Sequence, residues 1–309
     1  MRQAISKAEE LDVPLIVAGD LHDTKAMLRA ECVNAMINTF SKSTLKARVL
    51  IGNHDRINEK SPSHSLEFLN GHVKIYDTFS EEGGLFFIPY NSPEEPLKGT
   101  LSKIPASSTV ICHQGVIGAD MGEYVTDKSA ASTDLFRDFR TVSGHYHRAQ
   151  DIKCGRPRKG AVGLFSYIGT PYTISFSEAN DGPKGFRILH EDGSLSSAPT
   201  NLRKHIIFER HISELGPEDK VPNYQPGDLV WVKITGAASS LSKLDKRALG
   251  EQLIGHPNFK LDKLPEGGVK VFMGPSKQSE DTILDALIDA APESAEQKAS
   301  LKKLWRDIV

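Results

Sequence analysis

The chain has 309 residues, of which 39% are hydrophobic and 25% charged, with a formal net charge of −2 and a mean hydropathy of −0.34. That length accommodates one large domain and a smaller one, and no apolar run approaches the ~18–20 residues of a membrane span. The near-zero charge removes any global electrostatic argument for binding DNA, so such a reading must rest on a site and on local basic clusters such as Lys153, Arg156, Arg158 and Lys159, which read equally well as a solvated loop.

Arg2, Lys7, Glu9, Glu10 and Asp12 leave no room for the apolar core of a signal peptide. Cys32, Cys112 and Cys154 are odd in number and widely spaced, which points to a reducing compartment and a cytoplasmic protein. Ala4, Ile5, Ala8 and Leu11 recur at helical spacing, and Leu15-Ile16-Val17-Ala18 then reads as a buried strand. A second helix is expected over Thr24–Ser41, with Met27, Ala30, Val33, Ile37 and Phe40 as its inner face, followed by a strand at Val49-Leu50-Ile51. Further strands are expected at Leu85–Ile88, Thr109–Cys112, Thr141–Ser143, Gly163–Tyr167 and Phe186–Leu189, with a hairpin turn at Gly182-Pro183-Lys184-Gly185. Helix alternating with apolar strand predicts an α/β fold. The Ser-, Gly- and Pro-rich run Glu191–Thr200 is the expected domain boundary, giving domains over 1–195 and 200–280 and a helical tail over 281–309. In the second domain, strands at His205–Glu209 and Leu229–Ile234 and a helix at Leu241–Ile254 suggest a small α+β unit. Leu301, Leu304, Trp305 and Ile308 share one face of the terminal helix predicted over 294–309.

Four of the strands run directly into metal-ligand residue types. Gly19-Asp20-Leu21-His22-Asp23, Gly52-Asn53-His54-Asp55, His113-Gln114-Gly115 and Gly144-His145-Tyr146-His147 each follow an apolar run. Ligands of open α/β sheets gather beyond the carboxyl ends of strands, and a glycine before a ligand permits a sharp turn and close approach. A carboxylate such as Asp20 is able to bridge two divalent ions while imidazoles complete their shells. On extended backbone, His145 and His147 would point to the same side and serve neighbouring ions. Two ions roughly 3.5–4 Å apart suit phosphoryl displacement, and a nitrogen/oxygen set without thiolate fits Mn²⁺, Fe²⁺ or Zn²⁺ alike. Asp55 is placed to orient the ring of His54 as a protonated, transition-state-stabilising group. His22, inside the Asp20 loop, is the one other histidine of interest.

This ordered set resembles the calcineurin-like metallophosphoesterases, over about the first 195 residues, and within them the SbcD-type DNA exonuclease subunits of bacteria and bacteriophages. The nearest likeness lies in Gly19–Asp23, in Leu50–Asp55 and in Tyr167-Ile168-Gly169-Thr170-Pro171, which resembles the Tyr-x-Gly-[Ser/Thr]-Pro segment of that branch. The resemblance implies layered β-sheets flanked by helices, with a small α+β capping domain that positions DNA. It implies two divalent ions, with Mn²⁺ the expectation, Asp20 bridging them, Asn53, His113 and His145 completing one site and His147 serving the other. His54, supported by Asp55, would be catalytic. It further implies DNA as substrate and an SMC-like (SbcC-type) ATPase as partner, docked through the 294–309 segment, and it leaves room for a homodimer. The family's first motif, Asp-x-His on a strand ahead of the first helix, is not in this sequence. That raises two competing expectations: a metallophosphoesterase acting on small phosphoesters, or a scaffold subunit without catalysis.

Overall fold

The computed structural model describes residues 1–23, 27–58, 63–90, 94–121, 130–155 and 163–265. The terminal helix expected over 294–309, the 281–309 tail, and Arg156, Arg158 and Lys159 lie outside the described residues.

Helix α1, Arg2–Leu11, buries Ile5 and Ala8 on its inner side and ends at Asp12, whose left-handed conformation (φ 52°) closes the last turn. Strand β1 (Ile16–Val17), helix α2 (Ala30–Phe40), strand β2 (Arg48–Leu50) and strand β3 (Lys74–Tyr76) follow. The three strands form a parallel sheet in the order β1-β2-β3. Helix α2 starts at Ala30 because Arg29 is its extended N-cap. Met27 therefore precedes the helix and is 81% exposed rather than on its inner face. Ala30 is exposed as well, Val33 and Ile37 are half-buried, and Phe40 is buried.

Next come β4 (Ser80–Glu82), β5 (Leu85–Ile88), α3 (Glu94–Leu101), β6 (Thr109–Cys112), β7 (Arg140–Ser143), β8 (Gln150–Lys153) and β9 (Leu164–Tyr167). They build a six-stranded sheet ordered β4-β5-β6-β7-β9-β8. Its four inner strands are parallel and its two edge strands antiparallel. The inner strands are short apolar runs because both faces are covered. One face packs Phe87, Ile111 and Val142 against Leu50 and Tyr76 of the smaller sheet, with the Tyr76 and Phe87 rings stacked 4.1 Å apart. The other face packs Phe86, Ile88 and Val110 against Leu97, Leu101 and Phe136. The outer face of the smaller sheet is covered by Ile5 of α1 and Phe40 of α2. The layers thus run helix, sheet, sheet, helix, an α/β arrangement.

Strands β10 (Gly185–Leu189) and β11 (Leu195–Pro199) form an antiparallel hairpin. Its turn is not at 182–185 but at 190–194, where the Ser194 carbonyl accepts from the His190 N–H at 2.9 Å and Asp192 accepts from the Ser194 N–H at 2.8 Å. Residues 191–200, expected to separate domains, are the turn and second strand of this hairpin, and the first compact unit continues to Ile206 and includes 225–229. An apolar groove of about 270 Å³ lies along β1, lined by Ala8 and Leu11 of α1, by Ile16, by Ile111 and Val142 of the large sheet, and by Ile188 of β10.

Among the described residues, the second unit holds Ile207–Tyr224 and Val230–Pro265. Its sheet, ordered β12-β13-β14, comprises β12 (His205–His211), β13 (Leu229–Gly236) and β14 (Lys260–Pro265). Alternation along β13 buries Val230, Val232 and Ile234. The helix expected over Leu241–Ile254 is two helices, α4 (Ala238–Leu241) and α5 (Lys246–Ile254), because the Asp245 side chain accepts from the Ala248 N–H at 2.7 Å and caps a new start. Among the described residues no helix is long and apolar enough to cross a membrane.

Candidate metal centre

The ends of β1, β2, β6 and β7 meet at one point, where the three-stranded and six-stranded sheets face each other. Gly19 has φ 91°, a conformation open to a residue without Cβ, and a Cβ there would overlap the His113 ring. At Gly144 a Cβ would overlap the Ala18 carbonyl and stand 2.9 Å from His113 Nδ1. Bare backbone at these two positions lets the loops close on His113. Asp20 (φ 52°) and His145 (φ 73°) are themselves left-handed without being glycine. Such strained residues cluster at functional sites, held by their surroundings.

His113 is fully buried, and its Nδ1–H donates to the Ala18 carbonyl at 2.7 Å. That bond fixes the tautomer and leaves a lone pair on Nε2. Nε2 faces Asp20 Oδ2 at 3.1 Å and Asn53 Oδ1 at 3.0 Å. His145 Nδ1 stands 3.0 Å from the same Asn53 oxygen and 3.3 Å from His113 Nε2. The ligand atoms of Asp20, His113 and His145 all lie within 4.8 Å of one another. Donors this close need either a proton or a cation among them, and the set of one carboxylate and two imidazoles could hold a metal ion. Burial pushes the Asp20 carboxyl up; the hydrogen bond and charge of His113 in its doubly protonated form, with the His54 N–H, outweigh it and hold it below the ordinary carboxylate value, and a cation at Nε2 would take over that role. Asp20 is thus a charged carboxylate at neutral pH. Burial also pushes the Cys112 thiol up to about 12 and the Cys154 thiol to about 11. Neither is a thiolate at neutral pH, which leaves a nitrogen/oxygen set suited to a divalent ion of the Mn²⁺, Fe²⁺ or Zn²⁺ type.

Asp55 does not pair with the ring of His54. Its carboxylate accepts from the N–H groups of Asp20 (2.8 Å), Leu21 (3.0 Å) and Gly52 (2.8 Å), and it is fully buried. Burial raises its pKa; the Gly52 N–H opposes that and the neighbouring Asp20 charge adds to it. Asp55 therefore ties the Asp20 loop to the Asn53 loop. His22 braces the same knot, with Nε2 bonded to the Ser65 hydroxyl and 3.8 Å from Asp55 Oδ1. His54 enters the centre through its backbone, whose N–H donates to Asp20 Oδ1 at 2.9 Å. Its ring is partly exposed, with Nδ1–H donating to the Asp23 carbonyl at 2.6 Å.

His147 is not part of the converging group. The extended backbone expected across Gly144–His147 is broken by the left-handed His145 and by a tight turn in which the Tyr146 N–H donates to the Gly144 carbonyl at 3.0 Å. The two imidazoles consequently have different surroundings, and His147 Nδ1 meets Glu178 Oε1 at 2.7 Å. Sequence reasoning missed three participants. The Ala18 carbonyl carries no side-chain signal. Tyr90 follows β5 at the same sheet edge, its ring 6.3 Å from that of His113 and 6.0 Å from that of His145. Its position after a strand was the available clue, obscured because Pro89 rather than glycine precedes it. Glu178 is 31 residues from His147, and no spacing rule links them.

No protein-family model and no curated protein matches the chain.

Proposed function

We propose that the chain is a metal-dependent phosphodiesterase acting on DNA, with the layered architecture and ordered motifs of the SbcD-type metallophosphoesterases. The observation that carries this reading is the convergence of Asp20, Asn53, His113 and His145 from the ends of four strands, with the His113 lone pair turned inward by Ala18. An ion held there would supply a Lewis acid for a phosphoryl oxygen. Asp20 supplies the negative charge of the centre, and the His54 N–H fixes the orientation of its carboxylate. Asp55 keeps the two loops in register and takes no part in proton transfer. With Nδ1–H committed to the Asp23 carbonyl, His54 in its protonated form would present Nε2–H to a phosphate oxygen or a leaving alkoxide. The second unit is read as the capping domain that positions DNA, and an SMC-like ATPase as the partner.

The test is calorimetric titration of Mn²⁺ into the wild-type chain and Asp20→Ala. The substitution is expected to abolish tight binding; unchanged affinity would refute the ligand assignment. Hydrolysis of linear duplex DNA, set beside a small chromogenic phosphoester, separates the proposed substrate from the competing one.

A further inference from the structure

Tyr90 follows Pro89 just past β5, on the sheet edge where β6 and β7 deliver His113 and His145. Its ring is 6.3 Å from that of His113 and 6.0 Å from that of His145. Phe86, Phe87, Ile88 and Pro89 before it are buried, whereas Tyr90 is only half-buried. An aromatic ring thus stands against two of the converging donors with part of its surface open.

The backbone that carries this ring is fixed from the loops that build the centre. The Tyr90 N–H donates to the Ile51 carbonyl at 2.9 Å, and Ile51 directly precedes Gly52-Asn53. The Arg56 guanidinium donates to the Tyr90 carbonyl at 2.8 Å, and Arg56 directly follows Asp55. The Gln114 side-chain amide donates to the Pro89 carbonyl at 3.1 Å. Gln114 follows His113 and is itself buried. Three hydrogen bonds from two ligand loops therefore leave the Tyr90 main chain little freedom, and its ring keeps station with the donors. A ring needed only for packing gains most when fully covered; one left partly open beside a donor set has a face to offer.

A phosphodiester whose phosphate sits at the centre must lay its nucleoside against the surrounding wall. Aromatic side chains accept nucleobases of any sequence, because every base has a π face. We propose that Tyr90 is a substrate-contacting, specificity-determining residue whose ring stacks on the nucleoside attached to the phosphate at the centre. The proposal rests on the metal-dependent reading above, and it names the part of the substrate, base rather than phosphate, that this wall recognises. Arg56 and Gln114 act through Tyr90 as positioning residues.

Ligands that differ only in the nucleoside test it. Thymidylate and methyl phosphate carry the same phosphomonoester, and binding of each is measured by calorimetry with Zn²⁺, a diamagnetic ion suited to the donor set. Ring resonances of tyrosine-labelled protein are followed in parallel, with Tyr90 assigned by the signal lost in Tyr90→Phe. Thymidylate is expected to bind about 5–150-fold more tightly than methyl phosphate, the worth of one stacked base, and to move the Tyr90 signals upfield. That advantage should disappear in Tyr90→Ala and Tyr90→Leu and persist in Tyr90→Phe, which keeps the ring. Leucine fills the place of the ring with apolar atoms, so the test survives if the alanine variant does not fold. The second readout is the ratio of kcat/KM for p-nitrophenyl thymidylate to that for methyl p-nitrophenyl phosphate, with Mn²⁺. It is expected to fall by about the same 5–150-fold in Tyr90→Ala, through the KM of the nucleotide ester. A merely structural role would slow both esters together, and such an unchanged ratio would overturn the proposal. So would equal binding of the two phosphates, or binding of neither, by a wild type that still binds its ion, although the metal centre would then stand. Absence of any bound metal ion in the wild type overturns both readings together.

Discussion

Replacing Asp55 tests whether that residue builds the centre or acts in its chemistry. The structure makes it the acceptor for three backbone N–H groups on two loops, at 2.8, 3.0 and 2.8 Å, with no solvent exposure. Asp55→Ala leaves all three donors without a partner. A buried donor left unsatisfied costs about 1–3 kcal/mol, and losses sharing one partner do not add fully. The lower half of that range gives about 3–5 kcal/mol, or roughly 6–20 °C in melting temperature at ~2–4 °C per kcal/mol for a unit of this size. Asp55→Asn is milder. Its carbonyl in the place of Oδ2 still serves Asp20 and Gly52, and only the Leu21 N–H meets an amide nitrogen. Neutralising a carboxyl already pushed up by burial and by Asp20 offsets part of that loss, so about 1–2 kcal/mol is expected. The assay is thermal and urea unfolding of metal-free protein by far-ultraviolet circular dichroism. An Asp55→Ala chain within 1 kcal/mol of wild type, or an Asn variant worse than the Ala variant, would refute the reasoning.

Two further outcomes are expected. Gly144→Ala drives a methyl into the Ala18 carbonyl and toward His113 Nδ1, and should weaken Mn²⁺ binding by about 10–100-fold while the far-ultraviolet spectrum is retained; calorimetry decides. Burial opposes ionisation of Glu178, but its bonds to His147, Ile174 and Lys184 prevail and hold it at about 2. Its stabilisation is therefore complete above the ordinary carboxylate range and is lost as pH falls from there toward 2. A ceiling near 3 kcal/mol, roughly halved for solvent screening, should be missing from the acid limb of a pH–melting curve in Glu178→Gln.

The strands that carry the centre were legible because each is a short apolar run covered on both faces, as at Val110–Cys112 and Thr141–Ser143. What eluded the sequence was conformation set by distant partners. Met27 has the right period for α2 but precedes the Arg29 cap. Gly182–Gly185 has turn composition, yet the hairpin closes at Asp192-Gly193-Ser194, where a side-chain acceptor fixes the bend. A period of two placed His145 and His147 on one side, and one left-handed residue separated them. Asp55 sits beside His54 in the chain, but its acceptors are claimed by N–H groups up to 35 residues away.

The donors of the candidate centre are divided between the two sheets, Asp20 and Asn53 on one, His113 and His145 on the other. The separation of those pairs is set by Leu50, Tyr76, Phe87, Ile111 and Val142, the layer wedged between the sheets. Any ion held there would have its donors spaced by that hydrophobic layer, so a core substitution far from every ligand would reach the site through the distance between the sheets.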